Sequence, residues 1–451
     1  MKRKTLLLIN PVSQLRPGFH INKVTRNQPL SLGIIAALTP SHWKLRIIDE
    51  NFRKFRYYEA DLVGLTAFTS TAPRAYEIAA IYRERGIKTI MGGIHASMVP
   101  DESIRFVDSV VQGEAEPVWA QVLADFESGS LKKFYRSSYA GEVNQPEPRR
   151  DLFHPGYISA SIQTTRGCPM NCSFCSVSAF NGQHYRFRPI GDVLDELEKI
   201  PQKYILFVDD NIIGQNRESK ERARQLFEGI IRRGIKKIWI SQSSINFADD
   251  EELLKLAYRS GCRMILLGIE AETDDQLKEA NKKLNLSRGA ATYRQVFRAI
   301  HRQGIGIIAA LIFGWDSDTP ETIRARTRFA LNCGADSFQT SILTPLPGTQ
   351  LFDKIAGEKR LLYSNFPHDW QRYDYFETTI RHPVIPAVLL NHEISIALRN
   401  IFSPFNIVIR NIKTLWNTRR FSTAMILSLN YWHYRNIFIN GKKKLSEKEK
   451  N

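Results

Sequence analysis

The stretch Thr165-Arg166-Gly167-Cys168-Pro169-Met170-Asn171-Cys172-Ser173-Phe174-Cys175 organises the rest of the chain. Three of the five cysteines fall in it, with three and then two residues between successive thiols, so one compact loop aims three thiolates at a single point. Thiolate is the usual ligand of iron–sulfur clusters, and a four-iron cluster held by only three cysteines keeps one iron open for chemistry. A zinc site is the competing reading. Zinc motifs bring paired CxxC units or a fourth Cys or His close by, and the nearest histidine here is His184. Cys262 and Cys333 stand alone in apolar surroundings and read as small core side chains, a usage that fits a reducing cytoplasm.

A chain of 451 residues should hold two or three domains. Hydrophobic content of 43% with 24% charged residues excludes a fibrous or disordered chain. The opening MKRKTLLLIN has basic residues before an apolar run, but the run is too short for a signal peptide and reads as a first buried strand. No stretch reaches the roughly 18 apolar residues of a membrane span, so the expectation is a protein that is not integral to a membrane. The formal charge of +17, from 63 basic and 46 acidic residues, favours an acidic partner, either nucleic acid or an anionic membrane surface.

Short apolar runs alternate with helical patterns over residues 1–125: strands at 6–10, 45–49, 61–68, 87–93 and 109–114, helices at 29–38 and 72–86. This is the signature of a doubly wound, Rossmann-like parallel sheet, in which ligands sit at the carboxyl ends of strands. The informative loops are Asn10-Pro11, residues 66–71 with Thr66 and Ser70, Gly92-Gly93 and Gly113-Glu114. They read equally as tight turns or as places where backbone meets a large flat ligand. Residues 126–157 are rich in Ser, Gly, charge and proline, without periodicity, and mark a linker. Over 158–360 the alternation resumes as six strand–helix units, a partial (β/α)6 barrel of TIM type whose site forms at the carboxyl ends of its strands. The cysteine loop follows the first of these strands. Asp209 and Asp210 end the second, Gln242 the third, Glu270 the fourth, and Ile312 to Gly314 the fifth.

From 361 to 451 the pattern changes to aromatics among arginines and lysines. No acidic residue lies between Glu393 and Glu447, a span holding Arg399, Arg410, Lys413, Arg419, Arg420, Arg435 and Lys442 to Lys444. Ile407, Val408, Ile412, Leu415 and Trp416 recur near helical spacing, predicting two or three amphipathic helices. Such a basic region serves either as a cap on the barrel or as a surface resting on anionic membrane, with Trp416, Tyr431, Trp432 and Tyr434 at headgroup level.

The Cys-x3-Cys-x2-Cys order with an aromatic before the last cysteine resembles the signature loop of radical S-adenosylmethionine (SAM) enzymes. The segment before it resembles a cobalamin-binding domain, matching in the 66–71 loop and Gly92-Gly93. The resemblance implies a 4Fe–4S cluster on Cys168, Cys172 and Cys175, SAM chelated at the open iron, and a 5′-deoxyadenosyl radical formed in a mouth closed by the cobalamin domain and a helical cap. It implies SAM contacts from Phe174 beside adenine, from Asp209 and Asp210 to the methionine amino group, from Gln242 and Glu270 toward ribose, and from Ile312 to Gly314 near adenine. Asp210 and Glu270 stand as catalytic candidates, and Thr66, Ser70, Gly92 and Gly93 as corrin contacts. Two departures stand out: Val208-Asp209-Asp210 replaces the family's Gly-Gly-Glu, and the Asp-x-His-x-x-Gly cobalt motif is missing, which leaves His20 and His95 as loop or neighbouring histidines. The implied activity is cobalamin-dependent C-methylation, or related remodelling, of a lipid-like or natural-product substrate. A flavodoxin or ferredoxin would supply electrons, in the cytoplasm or at the inner face of the membrane. The alternatives are a methylthiotransferase-like RNA modifier and an oxidase or cyclase without cobalamin. The first lacks N-terminal cysteines for a second cluster, since none precedes Cys168.

Overall fold

A computed structural model describes residues 3–15, 27–137, 141–419 and 423–434, without the side chains of 423–425 and 432–434. His20, Arg420, Arg435, Lys442 to Lys444 and the side chains of Trp432 and Tyr434 lie outside the described residues. Strands β1 (Thr5–Asn10), β2 (Lys44–Asp49), β3 (Leu62–Thr66), β4 (Lys88–Gly92), β5 (Ser109–Gln112) and β6 (Phe134–Arg136) form one parallel sheet in the order β2-β1-β3-β4-β5-β6. The run TLLLIN becomes its centre because both of its faces are apolar. Leu7 and Ile9 enter the core beneath the helix Ala72–Arg83, while Leu6 and Leu8 enter a second core with Trp119 and Val122 of the helix Trp119–Glu127. β6 falls in the stretch read as linker. Its three residues are too few to show a period, yet they extend the sheet by one edge strand.

A second parallel sheet contains β7 (Ser159–Ile162), β10 (Tyr204–Phe207), β11 (Ile238–Ser243), β12 (Cys262–Glu270), β13 (Gly306–Phe313) and β14 (Ser337–Ile342) in sequential order. Sequential parallel order with an intervening helix at each crossover is the winding of a (β/α)6 barrel. A two-stranded ribbon, β8 (Thr165–Arg166) paired antiparallel with β9 (Arg186–Phe187), brackets the cysteine loop.

Three tail helices follow, Ala387–Ile401, Pro404–Thr418 and Thr423–Tyr434. The last of them does not lie over the mouth, where the resemblance implies a helical cap. Ile426 packs on Met264 and Ile308, and Asn430 bonds Ser337, so the last helix fills the amino end of the barrel, opposite the cysteine loop. The mouth is reached instead by the segment before these helices. There Leu361 and Ile380 join Phe174, Trp315 and Leu343 in one apolar cluster, and the Tyr375 carbonyl accepts from Ile342 N.

Candidate functional site

The cysteine loop is fastened at both ends. Gly167 has φ +89, and a Cβ there would sit 2.1 Å from the His184 carbonyl oxygen, so only glycine passes. Asp210 accepts from Gly167 N at 3.2 Å and from Asn181 Nδ2 at 3.0 Å, and burial pushes its carboxyl up to about 6. The far half of the loop is gripped by the segment after β12: Ser173 Oγ donates to the Glu279 carbonyl at 2.7 Å, and Asn281 Nδ2 to that of Asn171 at 2.6 Å. Cys168, Cys172 and Cys175 are free thiols. Burial raises all three, Cys168 to about 11 and Cys175 to about 12, while the Lys282 ammonium works in the opposite direction on each. Among the described residues no three His, Cys, Asp or Glu side chains converge tightly enough for one metal ion.

Asp209 is placed differently from Asp210. It is fully buried and accepts from Thr164 N at 2.6 Å, Thr164 Oγ1 at 2.6 Å and Thr165 N at 2.9 Å. Its carboxylate therefore holds the backbone where the loop begins. Glu270 pairs with buried Lys282 at 2.9 Å, and its φ of 61 is left-handed, an uncommon strain for a non-glycine residue at a strand end. Phe174 meets Trp315 edge-on at 5.9 Å. The turn after β13 is locked by Asp318, which accepts from Gly314 N at 2.7 Å and Trp315 N at 3.0 Å and is itself held by the buried guanidinium of Arg326. Arg326 Nη1 also reaches the Ile312 carbonyl. Gln242 contributes its backbone carbonyl to Ile212 N at 3.0 Å.

In the first sheet, strand order reverses between β1 and β3, and in doubly wound sheets the ligand crevice opens at that switch point. The 66–71 loop is there. Phe68, a large apolar ring, is 71% exposed. A Cβ at Gly92 would find ordinary contact at 3.8 Å, whereas one at Gly93, with φ +92, would lie 2.7 Å from Thr66 Oγ1. Any side chain at 93 would therefore first displace Thr66. His95 is buried beside Tyr76 (3.1 Å) and Glu102 (3.3 Å), inside the domain rather than at its face. Glu114, after β5, pairs with Arg186 at 2.6 Å and Arg166 at 3.1 Å, and Glu116 takes a second bond from Arg166. These arginines flank the cysteine loop, so the strand-end face of the first sheet is bolted to it.

Residues 162–330 match the model of the radical SAM superfamily, and residues 28–123 match that of the B12 binding domain. The bacteriochlorophyllide d C-12(1)-methyltransferase of Chlorobaculum tepidum is 31% identical over 392 residues, covering 83% of this chain and 82% of that relative. This chain is a radical SAM enzyme with a B12-binding domain. The hopanoid C-2 methylase of Rhodopseudomonas palustris is 26% identical over 373 residues, covering 80% of this chain and 69% of its own. The structure of the radical SAM methyltransferase TsrM from Kitasatospora setae, with cobalamin and a [4Fe-4S] cluster bound, superposes with a TM-score of 0.63 at 18% identity, over 90% of this chain and 86% of that one. The last likeness shows the fold alone.

The enzyme's cofactors are a 4Fe–4S cluster, SAM and cobalamin. The open strand ends around Phe68 and Gly92 fit a flat macrocycle, and the three free thiols fit the cluster. Gly93→Ala is expected to cost about 1–3 kcal/mol through forced φ and the Thr66 clash, and to lower hydroxocobalamin retention. Gly92→Ala, whose Cβ meets only ordinary contact, should leave stability unchanged. Thermal unfolding and corrin absorbance of the two variants compare them directly. Equal behaviour would remove Thr66 and Gly93 from the corrin face.

Sequence reading missed Lys282 and Arg326. Lys282 carried no signal, standing in a run of lysines after a polar helix. Arg326 did carry one: Ile323, Thr327 and Ala330 form the inward face of the helix Pro320–Asn332, and an arginine in register with them had to be a buried, paired charge.

Proposed function

We propose that the enzyme transfers a methyl group to carbon on an apolar, lipid-like or natural-product substrate, with cobalamin carrying the methyl group. The observation that carries this reading is the Glu114–Arg166/Arg186 bolt, which fixes the B12-binding face against the cysteine loop. When bound, the cluster and SAM supply a radical able to abstract hydrogen from an unactivated carbon. The protein's part is to position and to exclude water. Cys168, Cys172 and Cys175 would hold the cluster. Phe174, Ile312, Gly314 and Gln242 would line the SAM site, with Glu270 and Lys282 offering one charge of each sign to its polar end. Thr66, Ser70, Gly92 and Gly93 would face the corrin. Asp210 acts in this reading by holding Gly167 and Asn181.

The relatives named above act on a bacteriochlorophyllide and on a hopanoid, both large and apolar, which favours the same substrate class here. A low-potential flavodoxin or ferredoxin would deliver the electron. Among the described residues no helix is long and apolar enough to cross a membrane, so access to a lipid-like substrate would come from a peripheral position at the cytoplasmic face. The test is anaerobic loading with cluster and hydroxocobalamin, then incubation with methyl-labelled SAM and extracts of isoprenoid lipids and tetrapyrroles. Label should enter an extractable product only when both cofactors are present. Formation of 5′-deoxyadenosine with an unlabelled, oxidised or cyclised product would sink methylation.

A further inference from the structure

We propose that the outward face of the helix Pro404–Thr418 docks the enzyme on an anionic lipid bilayer. The helix is built inside out. Its buried positions are Arg410, Thr414 and Thr418, while Phe405, Val408, Ile412, Leu415 and Trp416 are 73%, 56%, 65%, 57% and 81% exposed. At about 100° per residue these five side chains fill one arc about 100° wide, roughly opposite Thr414. An ordinary surface helix turns its apolar stripe to the core. This one satisfies the core with polar groups: Arg410 donates to the Ile401 carbonyl and to Asn430 Oδ1, and Thr414 Oγ1 donates to Asp336 at 2.6 Å. Its apolar stripe is thus left on the surface by construction, and a contiguous patch of this kind marks a docking site.

Charge selects the occupant. Lys413 and Arg419 flank the stripe, Arg399 is exposed on the preceding helix, and no acidic residue lies between Glu393 and Glu447. A second copy docking through the same face would oppose like charges across a two-fold axis, with no acid of the 394–446 span to answer them. An anionic headgroup layer answers them all. Arg410 is removed from the count of cations available to lipid, because its guanidinium is internal. Thr414 bonds Asp336, just ahead of β14, so the helix lies at the amino end of the barrel strands, and docking holds the enzyme at the membrane while leaving the cysteine-loop face uncovered. This sharpens the peripheral placement above without depending on the reaction.

The experiment uses the full chain loaded with cluster and cobalamin, sedimented with phosphatidylcholine vesicles and with vesicles that also contain phosphatidylglycerol. Wild type should pellet with the second and not the first, and salt should release it. Val408→Ser/Ile412→Ser/Trp416→Ser should lower partitioning at least about tenfold. Lys413→Glu/Arg419→Glu should lower it about tenfold on anionic vesicles alone. All five side chains point outward, so unfolding midpoints and cofactor spectra should match wild type; if the triple variant unfolds early, the charge pair decides. Equal pelleting with both vesicle types, no pelleting, or full binding by the charge variant overturns the proposal. So does velocity sedimentation showing a dimer that the triple variant splits. A chain that takes up both cofactors but ignores vesicles defeats docking alone. One that binds vesicles but takes up no corrin defeats the methyltransferase reading alone.

Discussion

Replacing Cys168, Cys172 and Cys175 together with alanine will give a chain that binds no iron and cleaves no SAM, yet still takes up hydroxocobalamin. The loop is held by Asp210, Asn181, Glu279 and Asn281 through backbone and amide contacts in which no thiol takes part, so its course should survive the change. Cys262 and Cys333 cannot substitute, because both are buried in the packed layer between the barrel strands and their helices. The three thiols are raised by burial and enter the loaded site as thiolates, so assembly releases protons. A pH-stat should record that release in wild type and none in the triple variant. Iron and sulfide analysis, with 5′-deoxyadenosine measured under reducing conditions, gives the main readout. A full complement of iron in the triple variant would place the cluster elsewhere and remove the argument for the loop.

The repeating parts of this fold were legible because they rest on period. Apolar runs of about five residues bounded by turn signals read as buried strands, and the main strands fall on runs of that kind. Short or irregular pieces were not. β6 has three residues, and the helices Ile94–Met98 and Lys283–Arg288 lack a full hydrophobic face, so only tertiary context makes them ordered. At the site, ligand identity followed from residue type and spacing, as with the cysteines. Roles that depend on which way a carboxylate points did not. Asp209 and Asp210 are neighbours at one strand end; the resemblance offered both to the amino group of SAM and singled out Asp210 as a catalytic candidate. In the structure Asp209 turns inward to Thr164 and Thr165, while Asp210 turns to Gly167 and Asn181. Nor could sequence reveal that the tail's regularly spaced apolar residues face solvent, since spacing fixes a stripe but not what it packs against. The bolt from Glu114 to Arg166 and Arg186 joins residues about 50 to 70 positions apart, beyond any local pattern.

Asp209→Ala is expected to destabilise the enzyme by about 3 kcal/mol or more and to lose the cluster with it. Three donors, Thr164 N, Thr164 Oγ1 and Thr165 N, would be left buried and unanswered, and unsatisfied buried groups cost about 1–3 kcal/mol each when the site cannot admit water. Arg222 would also keep its buried charge, with Nη2 on the Thr164 carbonyl at 2.9 Å, while losing the nearby carboxylate that favours it. Asp209→Asn separates this positioning role from direct contact with the amino group of SAM. An asparagine oxygen can still accept from the two backbone N–H groups, and its amide can donate to Thr164 Oγ1, so a positioning residue should recover most of the stability and the cluster. A residue bound to the SAM ammonium should instead keep its stability and weaken SAM binding about tenfold, since a charge-assisted bond becomes a neutral one. Thermal unfolding, iron content and SAM affinity measured on both variants separate the cases. A stable Asp209→Ala enzyme with intact cluster and weakened SAM binding would show that the carboxylate faces the ligand after all.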